Sequence, residues 1–239
     1  MDKSYKKKKT GELRLEDPIR LILVDSWITY RSGLEYSVNN HPNLELVAKG
    51  SSASDANQFV GIDHAHVAMI DVNLPDESGI LVGQQLLQRI PDLRLLFLCD
   101  HDWDIYLIAA RGIGASGVFT RSVPAEDIIF SINQVMKAPL YNSDQLNRIQ
   151  SWKDKFGKNL QALKAHEWKV LWQVAAGLSN REIAKKLELS HATVEKYVSR
   201  ILERMELSSR SALVVLFYHN HLEVLCGLPE TTRLMIVGN

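Results

Sequence analysis

Five apolar runs of strand length recur through the first part of the chain: RLILV (20–24), LELVA (44–48), HVAMI (66–70), RLLFL (94–98) and SGVFT (116–120). Short runs rich in branched residues suit strands covered on both faces. Helical spacings lie between them. Residues 27–40 carry Ile28, Leu34 and Val38, and residues 79–90 carry Leu81, Leu86, Leu87 and Ile90. Residues 103–111 and 124–136 are helical too, with Pro124 in a first turn, where its missing N–H costs little. Five strands alternating with helices predict an α/β fold, a doubly wound five-stranded parallel sheet with right-handed crossovers.

In such a sheet the ligand site lies beyond the carboxyl ends of the strands. That rule gathers Asp25 and Ser26, Asp71, Cys99 and Asp100, and Arg121. Two of the runs, LILVDSW and VAMIDVNLP, end in a carboxylate. No glycine-rich phosphate loop follows the first run, so no nucleotide cofactor is expected.

From Leu163 onward the periodicity is purely helical. Val170, Leu171, Val174 and Ala175 share one face ending at Gly177. Ser179 or Asn180 caps a helix burying Ile183, Ala184 and Leu187, and Ser190 caps the next, with Val194, Val198, Ile201 and Met205 inward. A last helix, from Ser209 to about His221, carries Leu213, Leu216 and Phe217, either as core or as a dimer surface. Two short helices joined by a tight turn form a helix-turn-helix pattern. The zero formal net charge hides an asymmetry. Residues 19–137 hold 8 basic and 14 acidic side chains, and residues 160–221 hold 9 and 6. A basic second part points to a polyanionic partner.

DVNLPDESG (71–79), HPNLELV (41–47) and ARGIGASGVFTRSVPAEDI (110–128) resemble receiver domains of response regulators in the NarL/FixJ subfamily. GLSNREIAKKLELSHATVEKYVSRILERMELSSR resembles the LuxR-type helix-turn-helix, a four-helix all-α unit. The resemblance implies an arm over 1–18, a receiver over 19–138, a linker with a short helix over 139–159, a DNA-binding unit over 160–225 and a tail over 226–239. It implies a cytoplasmic, DNA-binding transcription regulator, a homodimer on double-stranded DNA, with no enzymatic role and no cofactor. Two cysteines without an apolar leader agree with a reducing compartment.

The resemblance makes Asp71 the phosphoacceptor, with Mg²⁺ held by an acidic pair, by Asp71 and by the carbonyl of Asn73. At most of these places the chain departs from the family. Ser26 replaces the second acid, Cys99 the hydroxyl residue, Arg121 the lysine and Val118 the switch aromatic. The expectation is a degenerate acidic site of Asp25, Ser26, Asn73, Cys99 and Arg121, with no firm metal and at most weak Mg²⁺ at Asp25 and Asp71. Direct pairing of Arg121 with Asp71 would hold the domain in one state. Trp27 and Trp103 flank this corner, either filling space or covering a docking face. Cys99 reads as a small, half-buried residue, not a redox centre.

Lys185, His191, Thr193, Glu195, Lys196, Ser199 and Arg200 point away from the apolar stripe of the helices and are expected on DNA, with the recognition helix over 191–205. RNA polymerase, another regulatory protein or a small ligand at the receiver are the further partners such a chain can take. Two alternatives stay open: a conventional regulator switched by phosphorylation of Asp71, and a protein-binding adaptor with weak DNA binding.

Overall fold

The structure is a computed structural model that describes residues 17–59, 61–62, 64–226 and 228–238. All but the last two residues of the arm expected over 1–18 lie outside the described residues.

The sheet is built from β1 (Ile19–Val24), β2 (Leu44–Gly50), β3 (Val67–Asp71), β4 (Arg94–Cys99) and β5 (Gly117–Thr120). All are parallel, in the order β2-β1-β3-β4-β5. Alternate side chains go to opposite faces. Ile22, Val24, Ala68, Ile70, Leu95 and Phe97 join one cluster, and Leu21, Leu23, Val67, Met69, Leu96 and Leu98 the other. Helices α1 (Ile28–Asn39) and α5 (Ala125–Val135) cover the second face, through Leu34, Val38, Ile128 and Ile132. The first face is covered by α2 (Ala53–Gln58), α3 (Gly79–Arg89) and α4 (Asp104–Gly112). Helix α2 has only Ala53 and Ala56 buried, too little apolar pattern to mark it in the sequence.

The linker departs from expectation in one respect. Helix α6 (Ser143–Trp152) starts at a reciprocal cap between Asn142 and Gln145. The linker is not a single short helix: the chain passes through a π-helical turn (Lys153–Gly157) into α7 (Lys158–Gln161). Four helices follow: α8 (Ala165–Ala175), α9 (Asn180–Leu187), α10 (His191–Arg204) and α11 (Arg210–His219). Ser179, Ser190 and Ser209 cap the last three, each side chain accepting a backbone N–H. Val194, Val198 and Ile201 anchor α10 against α8 and α9, and each such burial stabilises by about 1.5–3 kcal/mol.

The tail is not a loose end. A 3₁₀ turn (Leu222–Leu225) leads to α12 (Glu230–Gly238), which packs on α4, the π-helical turn and α7. One apolar cluster therefore runs from the sheet through the linker into the helical half. No helix among the described residues is long and apolar enough to cross a membrane.

Candidate functional site

The carboxyl ends of β1, β3, β4 and β5 deliver Asp25, Asp71, Asp100 and Arg121 to one corner, as the strand order requires. The loop after β3 turns back tightly: Gly79 donates to the Val72 carbonyl at 3.0 Å. A Cβ at position 79 would sit 1.8 Å from the Asp71 carbonyl oxygen, so only glycine fits.

Arg121 fills the corner. One terminal nitrogen, Nη2, lies 2.9 Å from Asp25 Oδ2 and 2.7 Å from Asp71 Oδ2, and Nη1 contacts Asp100 Oδ1. The guanidinium also stands 5.0 Å from the Trp27 ring and 5.5 Å from the Tyr30 ring. Its Nε is buried without a hydrogen-bond partner. Burial pulls its pKa down, but Asp71 and Asp25 outweigh that and hold it above the ordinary value.

Both inner carboxylates are completely buried. Asp71 Oδ2 also accepts from Ser26 Oγ at 2.7 Å, and Oδ1 accepts from the Asn73 amide at 2.9 Å. Asp25 Oδ1 accepts from the Trp27 amide at 2.7 Å. Burial raises the Asp25 pKa, and Asp71 adds to the rise, against the Trp27 amide and Arg121. The neutral Ser26 therefore acts as a donor to Asp71, where a second acid would repel it.

This arrangement does not fit a divalent cation. Mg²⁺ needs several oxygen ligands in octahedral geometry. Here a guanidinium nitrogen occupies the space between the two carboxylates that would hold it. Among the described residues no group of three or more His, Cys, Asp or Glu side chains is placed to hold a metal ion.

Other predicted residues behave differently. Cys99 is buried, not half-buried, and its Sγ donates to the Phe119 carbonyl at 3.4 Å. Burial is the main reason its thiol is pushed up to about 12. The Asn73 side chain donates to the Tyr106 hydroxyl at 2.9 Å. Val118 is only partly buried. Trp27 is 57% exposed and caps the corner from outside. Sequence reasoning passed over Tyr30 and Arg31, which reach the corner from the first turn of α1; Arg31 Nη1 contacts the Asp25 carbonyl. Their place in the first turn of the helix that follows Asp25 was the available signal.

On the second half, Lys185, His191, Glu195, Lys196, Ser199 and Arg200 are exposed along α9 and α10. His191 and Glu195 approach to 3.6 Å on adjacent turns. Thr193 is the exception: it is half-buried, and its hydroxyl pairs with Ser190 Oγ at 2.7 Å as part of the cap. Glu167, buried, accepts from Arg204 and from the Lys164 amide at 2.9 Å each, tying α8 to the end of α10. Val215 and Tyr218 stay exposed on α11, while Leu213 and Phe217 are core.

A doubly wound sheet with an aspartate at the end of its third strand, followed by an exposed helix-turn-helix, defines a DNA-binding response regulator. Residues 161–217 match the family described as bacterial regulatory proteins, luxR family. Over 219 residues the chain is 28% identical to the transcriptional regulatory protein DegU of Brevibacillus brevis, covering 84% of this chain and 93% of that one. It is 29% identical over 201 residues to the transcriptional activator DevR/DosR of Mycobacterium tuberculosis, covering 82% and 93%. The RcsB response regulator of Salmonella typhimurium shares the fold at a TM-score of 0.57 and 17% identity, over 84% of this chain and 99% of that one. The chain is a DNA-binding transcriptional response regulator, similar in sequence to those of the NarL/FixJ type.

Proposed function

We propose that this regulator is governed without conventional Mg²⁺-dependent phosphorylation of Asp71, because Arg121 already serves as the cation of the receiver. The observation that carries this is the single Arg121 nitrogen within 3 Å of both Asp25 and Asp71. A buried guanidinium shared by three carboxylates is an internal counter-ion that does not diffuse away, unlike a metal. Phosphorylation would require expelling it and burying further negative charge in its place.

The receiver spans 19–138 and the DNA-binding unit 160–225 in this reading, and the protein works in the cytoplasm as a homodimer. Its two recognition helices would enter major grooves about one helical turn (~34 Å) apart. Lys196 would donate to guanine acceptors and Glu195 would accept from a cytosine amine. Lys185, Ser199, Arg200 and His191 would contact phosphates or base edges at the rim, and Thr193 would hold the helix start in position. The input is a protein partner, a small ligand at the receiver, or protein concentration.

The test is incubation of the purified protein with acetyl phosphate and millimolar Mg²⁺, followed by intact mass. No phosphoryl adduct is expected. A stoichiometric adduct on Asp71 would sink the proposal and return the chain to the phosphorylation-switched regulators.

A further inference from the structure

Residues 221–226 and 228–238 lie beyond the luxR-type match, and the proposed function gives none of them a contact with DNA. Helix α12 packs on α4 of the receiver, and the 3₁₀ turn before it packs on α11 and α4. The His221 ring lies flat on Trp103, centroids 3.5 Å apart and planes 5° from parallel. Glu223, Val224 and Cys226 line a cleft with residues 72–78 of the loop that follows Asp71. In α12, Ile236 and Val237 are buried, and the Thr232 hydroxyl donates to Gln84 Oε1 of α3 at 2.7 Å, inside the protein. Gly112, in the last turn of α4, lets the helix backbones meet: a Cβ there would stand 2.5 Å from Ile236 Cα. On the other side Arg233 lies 5.6 Å from the Trp168 ring of α8.

We propose that residues 221–238 are a latch that holds the DNA-binding half on the receiver, and that the acidic corner keeps this latch closed through the loop between β4 and α4. That loop is short and tied on three sides. Asp100 is held by Arg121 at the corner. Asp102 and Asp104 are both held by Arg148 of the linker helix, each at 2.7 Å. Trp103, between them, carries His221. A shift of Arg121 moves Asp100, and the same few residues carry the ring on which the latch rests. Leu222, Leu225, Leu228, Ile236 and Val237 would meet water if it opened, so the resting state is closed. The recognition helix stays exposed when the latch is closed, so the latch sets the direction in which that helix is presented without covering it.

The test is amide hydrogen exchange on the full chain, comparing wild type with Gly112→Ala, Gly33→Ala and Asp100→Asn. Alanine favours the helix that Gly112 belongs to, so the substitution pushes α12 away without weakening α4 itself. Gly33, a helical glycine with open space around it, is the control. Gly112→Ala is expected to speed exchange over residues 230–238 about tenfold or more while the strands stay protected. Asp100→Asn is expected to speed exchange in the same segment, and Gly33→Ala to leave it unchanged. Unchanged exchange over 230–238 in Gly112→Ala, or loss spread over the central strands, would overturn the latch. No change in Asp100→Asn would overturn its control by the corner. The latch contacts are independent of the proposed function, and only the Asp100 arm rests on Arg121 as the corner's cation. An Asp71 adduct would therefore remove that reading and leave the Gly112→Ala result to stand by itself.

Discussion

Arg121 Nη2 lies 2.7 Å from Asp71 Oδ2, with the two side chains 8% and 1% exposed. A buried pair of this kind is worth little more than an apolar pair of the same shape, but breaking it leaves an uncompensated charge inside the protein. Arg121→Ala strands Asp25 and Asp71 together, and is expected to destabilise the receiver by about 3 kcal/mol or more. Urea denaturation checks this; a loss within experimental error would mean that water enters the corner freely.

Asp25 gives the corner a pH signature. Its folded-state pKa lies above the ordinary 3.8, chiefly through burial. The folded protein therefore holds that proton more tightly than the unfolded chain does. This contribution is fully present below pH 3.8 and fades as pH rises through the folded-state value. Asp25→Asn cannot titrate. The urea midpoint of wild type, relative to Asp25→Asn, should fall across that window; a flat or rising difference would contradict the assignment.

The two thiols should differ sharply. Cys99 is buried with its pKa pushed up to about 12, whereas Cys226 is exposed. The thiolate is the reactive form. Iodoacetamide at mild alkaline pH should modify Cys226 alone in the native protein and both thiols in urea, as read by peptide mass. Native labelling of Cys99 would show that the β4 end opens readily.

DNA binding should separate into two effects. Lys196→Ala is expected to weaken the preferred site by about 1–3 kcal/mol and relax preference at the bases it reads. Arg200→Ala should weaken all sequences alike and lower the log–log salt slope by about 0.9 for the lost phosphate. Fluorescence anisotropy at several salt concentrations distinguishes them. Equal behaviour of the two variants would dissolve the distinction between base reading and backbone contact.

The strand pattern was legible because a buried parallel strand must be apolar along its whole length. The helix-turn-helix was legible because Ser179 and Ser190 cap their helices locally. Helix α2 and the continuation past Gly157 were not, since Ala53 and Ala56 carry little signal and a π-helical turn has no separate spacing. The pairing of the Thr193 hydroxyl with Ser190 was not legible either, because capping and exposure call for the same residue type.

By itself, the sequence determined the order of the five strands and of most of the helices between and after them, the gathering of Asp25, Asp71 and Arg121 at one edge, and the outward face of α10. These follow from periodicity and strand direction, which are local. Only the tertiary structure decided that one guanidinium nitrogen is shared by Asp25 and Asp71, that Cys99 turns to a backbone carbonyl, and that residues 221–238 clasp α4 and Trp103. Those contacts join residues far apart in the chain, and their distances are set by how the layers pack.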